Sequence, residues 1–370
     1  MGTGLAIIWH AKSRLLFSVS GIAMAVVIIF VEQGFLYGVL DSQARITRHL
    51  NGELVVIHES RTHLNKWNTF KKAHIHRLAA VAGVATVIPI YKTKVRLRNP
   101  DTEREKMILA YGFPPSTTPF HGLIDNVARS TLKRRGSVLF DQLSRNIYGT
   151  LTLGSDLEIN GENHRLEGFF RMGPTIVYDG ALLMGDGTLL PHHPGIEPIM
   201  AVVQLEQNAD LAAIRLTLER AAPQLTVMTP GELEGKEKAF VEQSTPIGIL
   251  FGIGMVAGLV IGVVVCYQVL FNDINNMLPQ YATLKAMGYS NVFLAAVVVE
   301  QALFMSVLGF ILALPIVWLF FDYLAERTAM LMFIDWQRIL RVFVLTLGIG
   351  LTAAVLAVRV ALRADPARLF

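Results

Sequence analysis

Residues 246–271 read PIGILFGIGMVAGLVIGVVVCYQVLF, a run with no charged side chain. A bilayer core takes roughly 20 apolar residues of helix, so this stretch is long enough to cross it. Residues 14–40, 292–321 and 338–360 are comparably apolar. Together with 244–271 they predict a membrane protein with four transmembrane helices. A secretory leader would carry an apolar core of about 7–15 residues before a small-residue cleavage site. The first run is far longer, continues through Phe35, Leu36 and Tyr37, and reads as an uncleaved anchor.

Bulk composition points the same way. Of the 370 residues 52% are hydrophobic and only 17% charged, and the mean hydropathy is +0.46. The apolar excess is confined to the four runs, while residues 41–243 read as soluble protein. The single cysteine, Cys266, lies inside the second run, which excludes an intrachain disulfide. A pI near 9.1 comes with no nucleic-acid motif, so a juxtamembrane origin facing anionic lipid accounts for the basic excess.

Lysine and arginine near the span ends set the orientation. Lys12 and Arg14 precede the first span, and Arg359, Arg363 and Arg368 follow the fourth. Both termini, the tail 361–370 included, are therefore expected in the cytoplasm, with residues 272–291 on the same side. Residues 41–243 and the short loop 322–337 are expected outside. Arg338 and Arg341, at the outer end of the fourth span, run against this pattern. In residues 1–13, Leu5, Ile8 and Trp9 recur at helical spacing, as in an amphipathic helix lying on the inner leaflet. A frayed terminus is the other reading.

Between the first two spans the hydrophobic period changes, and the pattern predicts a large α+β extracytoplasmic domain. Strands are expected at 53–58, 86–98, 106–111, 137–140, 156–170, 200–205 and 225–228. Helices are expected at 70–80, 210–221 and 231–242, with Leu211, Ile214, Leu218 and Ala221 on one face of the second. Asn99–Pro100–Asp101 and Asn160–Gly161 supply turns. Lys92, Lys94, Arg96 and Arg98 occupy alternate positions of a strand, which places them on one side. A solvated strand face is one account of them. A basic strip for an acidic partner or anionic lipid headgroups is the other.

No catalytic constellation is legible. Gly235–Lys236 is followed by Glu237, and no glycine precedes at the P-loop spacing, so ATP is not held in that manner. His74 and His76, and the adjacent His192 and His193, match no metal-site spacing, and no metal is expected. Glu32 and Glu300 lie within spans, where an acid is costly. A proton or cation relay is one reading; helix packing or a place near the headgroups is the other, favoured because neither acid has a basic partner one turn away. Gly34 and Gly38 in the first span, and Gly254, Gly258 and Gly262 in the second, repeat every four residues. That spacing lets helix backbones approach closely in lipid, and predicts tight pairing of the first two spans, within one chain or across a dimer.

The stretch NMLPQYATLKAMGYS, residues 276–290, leads into a span carrying Glu300, Ala302 and Gly309. This arrangement resembles the FtsX-like permease family, also called the MacB-type or mechanotransmission class of ABC transporters. The ending ALRADPARL (361–369) and the segments 201–205 and 226–229 are similar to that family as well. LPQYATL (278–284) is closest to its DevC branch. One departure is Gln280, where the family commonly has glutamate.

The resemblance implies a MacB-like periplasmic domain in a bacterial inner membrane protein. It implies a homodimer working with two copies of a cytoplasmic ABC ATPase, which would hold the ATP and Mg2+, so that this chain is neither an enzyme nor a cofactor carrier. Gln280, Leu284, Lys285, Met287 and Gly288 would form the element coupling the ATPase to the spans. On a short helix Leu284 and Met287 share a face, with Lys285 at the rim and Gly288 closing the helix. Further implied partners are a periplasmic adaptor (membrane fusion protein), a TolC-like outer-membrane channel and membrane lipids, with export of a lipid, glycolipid or other amphiphile. An FtsX-like regulator of a cell-wall hydrolase and a lipoprotein-releasing permease are the rival members. An ion-coupled carrier using Glu32 and Glu300 is disfavoured, since four spans without an inverted repeat give it little to work with.

Overall fold

The computed structural model describes residues 12–63, 65–175, 177–244, 246–328 and 334–362. Most of the expected amphipathic segment 1–13 and of the tail 361–370 lies outside them. The chain divides into two compact units, one holding residues 1–37, 246–325 and 332–370, the other residues 38–245 and 326–331.

In chain order, α1 (Lys12–Gln43) and the single turn α2 (Arg45–Arg48) lead to β1 (Leu54–His58), α3 (Ala73–Ala79), β2 (Val84–Arg98) and β3 (Glu105–Phe113). Next come α4 (Asn126–Thr131), β4 (Ser137–Asp141), β5 (Asp156–Ile159), β6 (Glu162–Phe170), β7 (Ala181–Gly185) and α5 (Asp186–His192). The second unit closes with β8 (Met200–Leu205), α6 (Leu211–Ala221), β9 (Leu225–Met228) and α7 (Pro230–Ser244). The remaining helices are α8 (Pro246–Asn276), α9 (Leu278–Ala286), α10 (Asn291–Thr328) and α11 (Trp336–Leu362).

Strand β2 organises the second unit because it is long enough to serve two sheets. Its first half pairs with β8, and the antiparallel order continues through β1 to β9. Its second half pairs with β3, which starts a ring β3–β7–β4–β6–β5 that returns to β2 where Leu97 meets Ile159. The β3–β7 and β4–β6 pairs are parallel. Asn99 makes the β2–β3 turn, its Oδ1 accepting the N–H of Asp101 at 2.8 Å and of Thr102 at 3.1 Å. Asn160 and Gly161 both have positive φ, 53° and 84°, as a two-residue hairpin turn with the twist of its strands requires.

Alternation along the strands fills both sides. Val95, Leu97, Ile108, Ala110, Leu157 and Ile159 share one cluster. Leu54, Val56, Val203 and Val227 form another with Leu78 of α3 and Ile214 and Leu218 of α6. The stripe on α6 is narrower than the sequence predicts, since Leu211, its first residue, is 38% exposed. Ile214 and Leu218, each worth about 1.5–3 kcal/mol when fully buried, are the helix's anchors in that cluster. Asp210 caps it, accepting from Ala212 and Ala213. Strand β7 is buried at all five positions, so it shows no alternation, which is why its sequence carries no strand signature.

Among the described residues, four helices are long and apolar enough to cross a membrane: Val19–Gln43 of α1, α8, Asn291–Leu324 of α10 and Trp336–Val358 of α11. Helices α1 and α8 run antiparallel along the glycine stripe. Gly254 abuts Glu32, Gly258 abuts Ile28 and Ile29, and Gly262 abuts Ala25. Gly34 does not join this seam. It faces Phe321 of α10, whose Gly309 in turn faces Ile22, so α1 and α10 run parallel. Gly38 is a buried residue of the other unit. The fourth helix, α11, closes on α8 through Ile349 against Gly262 and on α10 through Gly350 against Ser306.

Arg338 and Arg341, which ran against the charge pattern, have a local explanation. Their guanidinium groups stand 4.8 Å and 5.2 Å from the Tyr37 ring centroid, and Arg341 also donates to the Tyr37 hydroxyl. A cation held on an aromatic face at a helix end has a structural reason to be there whichever side it faces.

Candidate coupling site

Helix α9 hangs directly from α8. Only Met277 separates them, and its N–H reaches the carbonyls of Asp273 and Ile274 at 3.1 and 3.0 Å. Pro279 sits in the first turn of α9, where its missing N–H costs nothing. The far end closes as a Schellman motif: the N–H of Tyr289 bonds the Leu284 carbonyl at 3.1 Å and that of Gly288 bonds Lys285 at 3.0 Å. Gly288 holds φ +91°, and a Cβ there would meet nothing within 4 Å. Glycine is needed for its backbone conformation and not for space.

The connection is anchored from inside. Tyr281 and Ala282 are buried, and burial, followed by the nearby Asp273, pushes the Tyr281 hydroxyl up to about 12. Asp273, near the end of α8, accepts a hydrogen bond from Gln301 Nε2 of α10 at 3.2 Å. Ser290 begins α10 by accepting the Phe293 N–H at 3.2 Å. Asp273 and Gln301 were missed by sequence reading, which weighed the neighbouring Glu300. Glu300 is half-buried, whereas Gln301 points inward.

Among the expected coupling residues, Gln280 and Gly288 are exposed and Leu284 and Lys285 half-buried. Met287 is the C-cap, not a helical residue, and is 62% exposed. Leu284 and Met287 therefore do not form one helical knob. The apolar tip is Met287 with Tyr289 and Val292, 46% and 78% exposed, and the Tyr289 ring lies tilted against Phe293, centroids 4.6 Å apart. Neither Tyr289 nor Val292 was singled out by spacing, because they follow the helix end.

The two intramembrane acids are far apart. Ile22 faces Gly309 and Gly34 faces Phe321, so Glu32 lies level with about residue 319 of α10. At 1.5 Å per residue that is on the order of 28 Å from Glu300, too far for a direct relay. Glu32 instead covers Gly254, 2.5 Å from where a Cβ would stand.

The basic strip on β2 does not exist as one exposed row. Lys92 is 4% exposed and lies against Trp67 and Tyr178 (5.2 Å each) and Tyr111 (5.9 Å). Burial, with Arg61 adding to it, holds its ammonium down to about 7. Lys94 is exposed and shares Trp67 and Tyr178. Arg96 pairs with Glu105 at 3.6 Å, and Arg98 with Glu158 at 2.7 Å and Glu103 at 3.5 Å. Of the histidines, His74 is buried, while His192 contacts Glu162 at 3.1 Å.

Residues 252–366 match the family model described as FtsX-like permease C-terminal. No curated protein matches the chain. Among solved structures, the periplasmic region of MacB from Actinobacillus actinomycetemcomitans is similar at 13% identity and a TM-score of 0.39, covering 53% of this chain and 95% of that one. The extracellular domain of the noncanonic ABC-type transporter YknZ from Gram-positive bacteria is similar at 14% identity and TM-score 0.35, covering 48% and 98%. A permease-protein domain from Porphyromonas gingivalis gives 16% and 0.32, covering 47% and 88%. Likenesses this distant leave the function to be argued from the residues.

Proposed function

We propose, from the premise that residues 252–366 form an FtsX-like permease C-terminal domain, that this chain is the permease subunit of an ABC exporter. In this reading a separate cytoplasmic ATPase binds and hydrolyses ATP, and α9 receives its motion. The observation that carries it is the build of α9: a rigidly capped helix, anchored inward by Tyr281 and bearing an exposed apolar tip. It lies at the end of the helix bundle where α1 begins, opposite the end where Tyr37 meets Arg338 and Arg341. A short apolar plug offered on one side of a membrane fits a groove on a soluble partner.

Two copies would pair, with the strongly exposed apolar row of α8 (Ile249, Ile253, Val256, Val260, Val264) facing lipid or the second copy. Residues 38–245 would lie in the periplasm of a bacterial inner membrane protein with both termini cytoplasmic. There they would engage an adaptor feeding a TolC-like channel, as in the DevC branch, to export a lipid, glycolipid or other amphiphile. The test is purification of the assembly from native membranes, wild type beside Met287→Glu, with mass spectrometry of its protein and lipid companions. An ATPase and adaptor that accompany the wild type, with the ATPase lost from the variant, support the reading. An assembly without an ATPase, or one that retains it equally in the variant, overturns it.

A further inference from the structure

Sequence spacing hid one cluster that the fold assembles. Glu162 and His164 are two apart on β6, so a strand places both on one side. His192, the last residue of α5, comes in from elsewhere in the chain, its Nδ1 3.1 Å from Glu162 Oε2. One ligand-type atom from each of the three residues lies within 4.8 Å of the others. Around a tetrahedral zinc with ligands at about 2.0–2.2 Å, neighbouring ligand atoms stand roughly 3.3–3.6 Å apart. Glu162 and His192, at 3.1 Å, already stand near that spacing, and the three ligand atoms are held within 4.8 Å of one another.

A second feature concerns one histidine of the same cluster. His164 is 5% exposed, yet its Nδ1 has no hydrogen-bond partner. An orphaned buried nitrogen is costly and calls for an explanation. All three residues border a cavity of about 300 Å³ floored by Val95, Met184 and Leu189, with His193 beside it. An ordinary surface ion pair between His192 and Glu162 would explain one contact. It leaves the buried His164 nitrogen unexplained.

We infer that Glu162, His164 and His192 form a binding site for a divalent transition metal, with Zn2+ the best match to a two-histidine, one-carboxylate set. The ion ties α5 to the β5–β6 hairpin and leaves its fourth coordination position open to the cavity. This inference does not depend on the exporter reading, since it concerns the 38–245 unit alone and is measured without transport.

The experiment uses the full-length chain in detergent, without a polyhistidine tag and stripped of metal by chelator. Equilibrium dialysis against Zn2+ should load one tightly held equivalent per chain. Glu162→Gln and His192→Ala, both at partly exposed side chains, should fold as the wild type by circular dichroism. Each should lose about tenfold or more in affinity, while His121→Ala, outside the cluster, loses none. Co2+ in place of Zn2+ should give visible ligand-field bands that vanish in the same two variants. Zn2+ should raise the melting temperature of the wild type alone, because only the native state holds the site. No stoichiometric uptake, or uptake equal in the wild type and both folded variants, would overturn the assignment.

Discussion

Gln301 Nε2 donates to Asp273 Oδ2 at 3.2 Å between two buried side chains, joining the last turn of α8 to α10 about three turns from its start. The bond links the two helices that flank α9.

Removing the donor should cost more than neutralising the acceptor. Gln301→Leu removes this donor and sets an apolar side chain against a buried carboxylate, at about 1–3 kcal/mol. Asp273→Asn keeps an acceptor and should be much milder. Thermal melts in detergent would rank the two, and stimulated ATPase turnover in the assembly should fall in the same order. Equal melting temperatures for wild type and Gln301→Leu would show that the bond contributes nothing.

Gly288 should tolerate asparagine better than valine. At φ +91° a β-branched residue is strained by roughly 1–2 kcal/mol, whereas asparagine visits the left-handed region more readily. Since nothing crowds a Cβ there, the penalty is conformational. ATPase association should weaken with Gly288→Val while the fold of residues 38–245 persists. A valine variant that couples normally would show the cap to be dispensable.

The glycine stripe of α8 predicts a sharp positional contrast. At Gly258 a Cβ would sit 3.3 Å from Ile28 and Ile29, whereas at Gly252 it would meet nothing within 4 Å. Gly258→Leu should wedge α1 from α8, at about 1–3 kcal/mol. Gly252→Leu should be close to neutral. Cysteine crosslinking between Ala25 and Gly262 positions, in a background lacking Cys266, reads the separation directly.

Lys92 makes the stability of the second unit depend on pH. Its folded pKa, about 7, lies below its ordinary value of 10.5 because burial penalises the charge, with Arg61 next and Glu237 opposing. Between these values the unfolded chain binds more protons than the folded one, so stability rises with pH across roughly 7 to 10.5. Below 7 both states are charged and the full burial cost remains. Lys92→Met should accordingly stabilise the protein most near pH 6, with the gain shrinking toward pH 10. A wild-type melting curve flat over that range, equal to the variant's, would contradict the burial argument.

Much was legible because lipid and β-pleat impose short-range rules. The four apolar runs could be read residue by residue, since a span must be apolar along its whole length. The Asn160–Gly161 turn and the capping glycine Gly288 were legible too, because positive φ selects those residue types. Burial of Lys92 was not, since alternation reports a face but not what covers it, and Trp67, Tyr111 and Tyr178 arrive from distant positions. Gln301 escaped because a glutamine in a span carries no charge signal, and the acid beside it drew attention instead.

What the sequence determined alone is the plan: four helices to cross a membrane, an α+β domain between the first two, and a connection with a capped short helix. These follow from interactions local along the chain, hydropathy and backbone preference above all. Only the tertiary structure decided which groups meet. It set Gly34 against Phe321, split Lys92 from Arg98, and brought His192 to Glu162 and His164. Such contacts depend on how strands and helices register across long loops, and no local pattern records that.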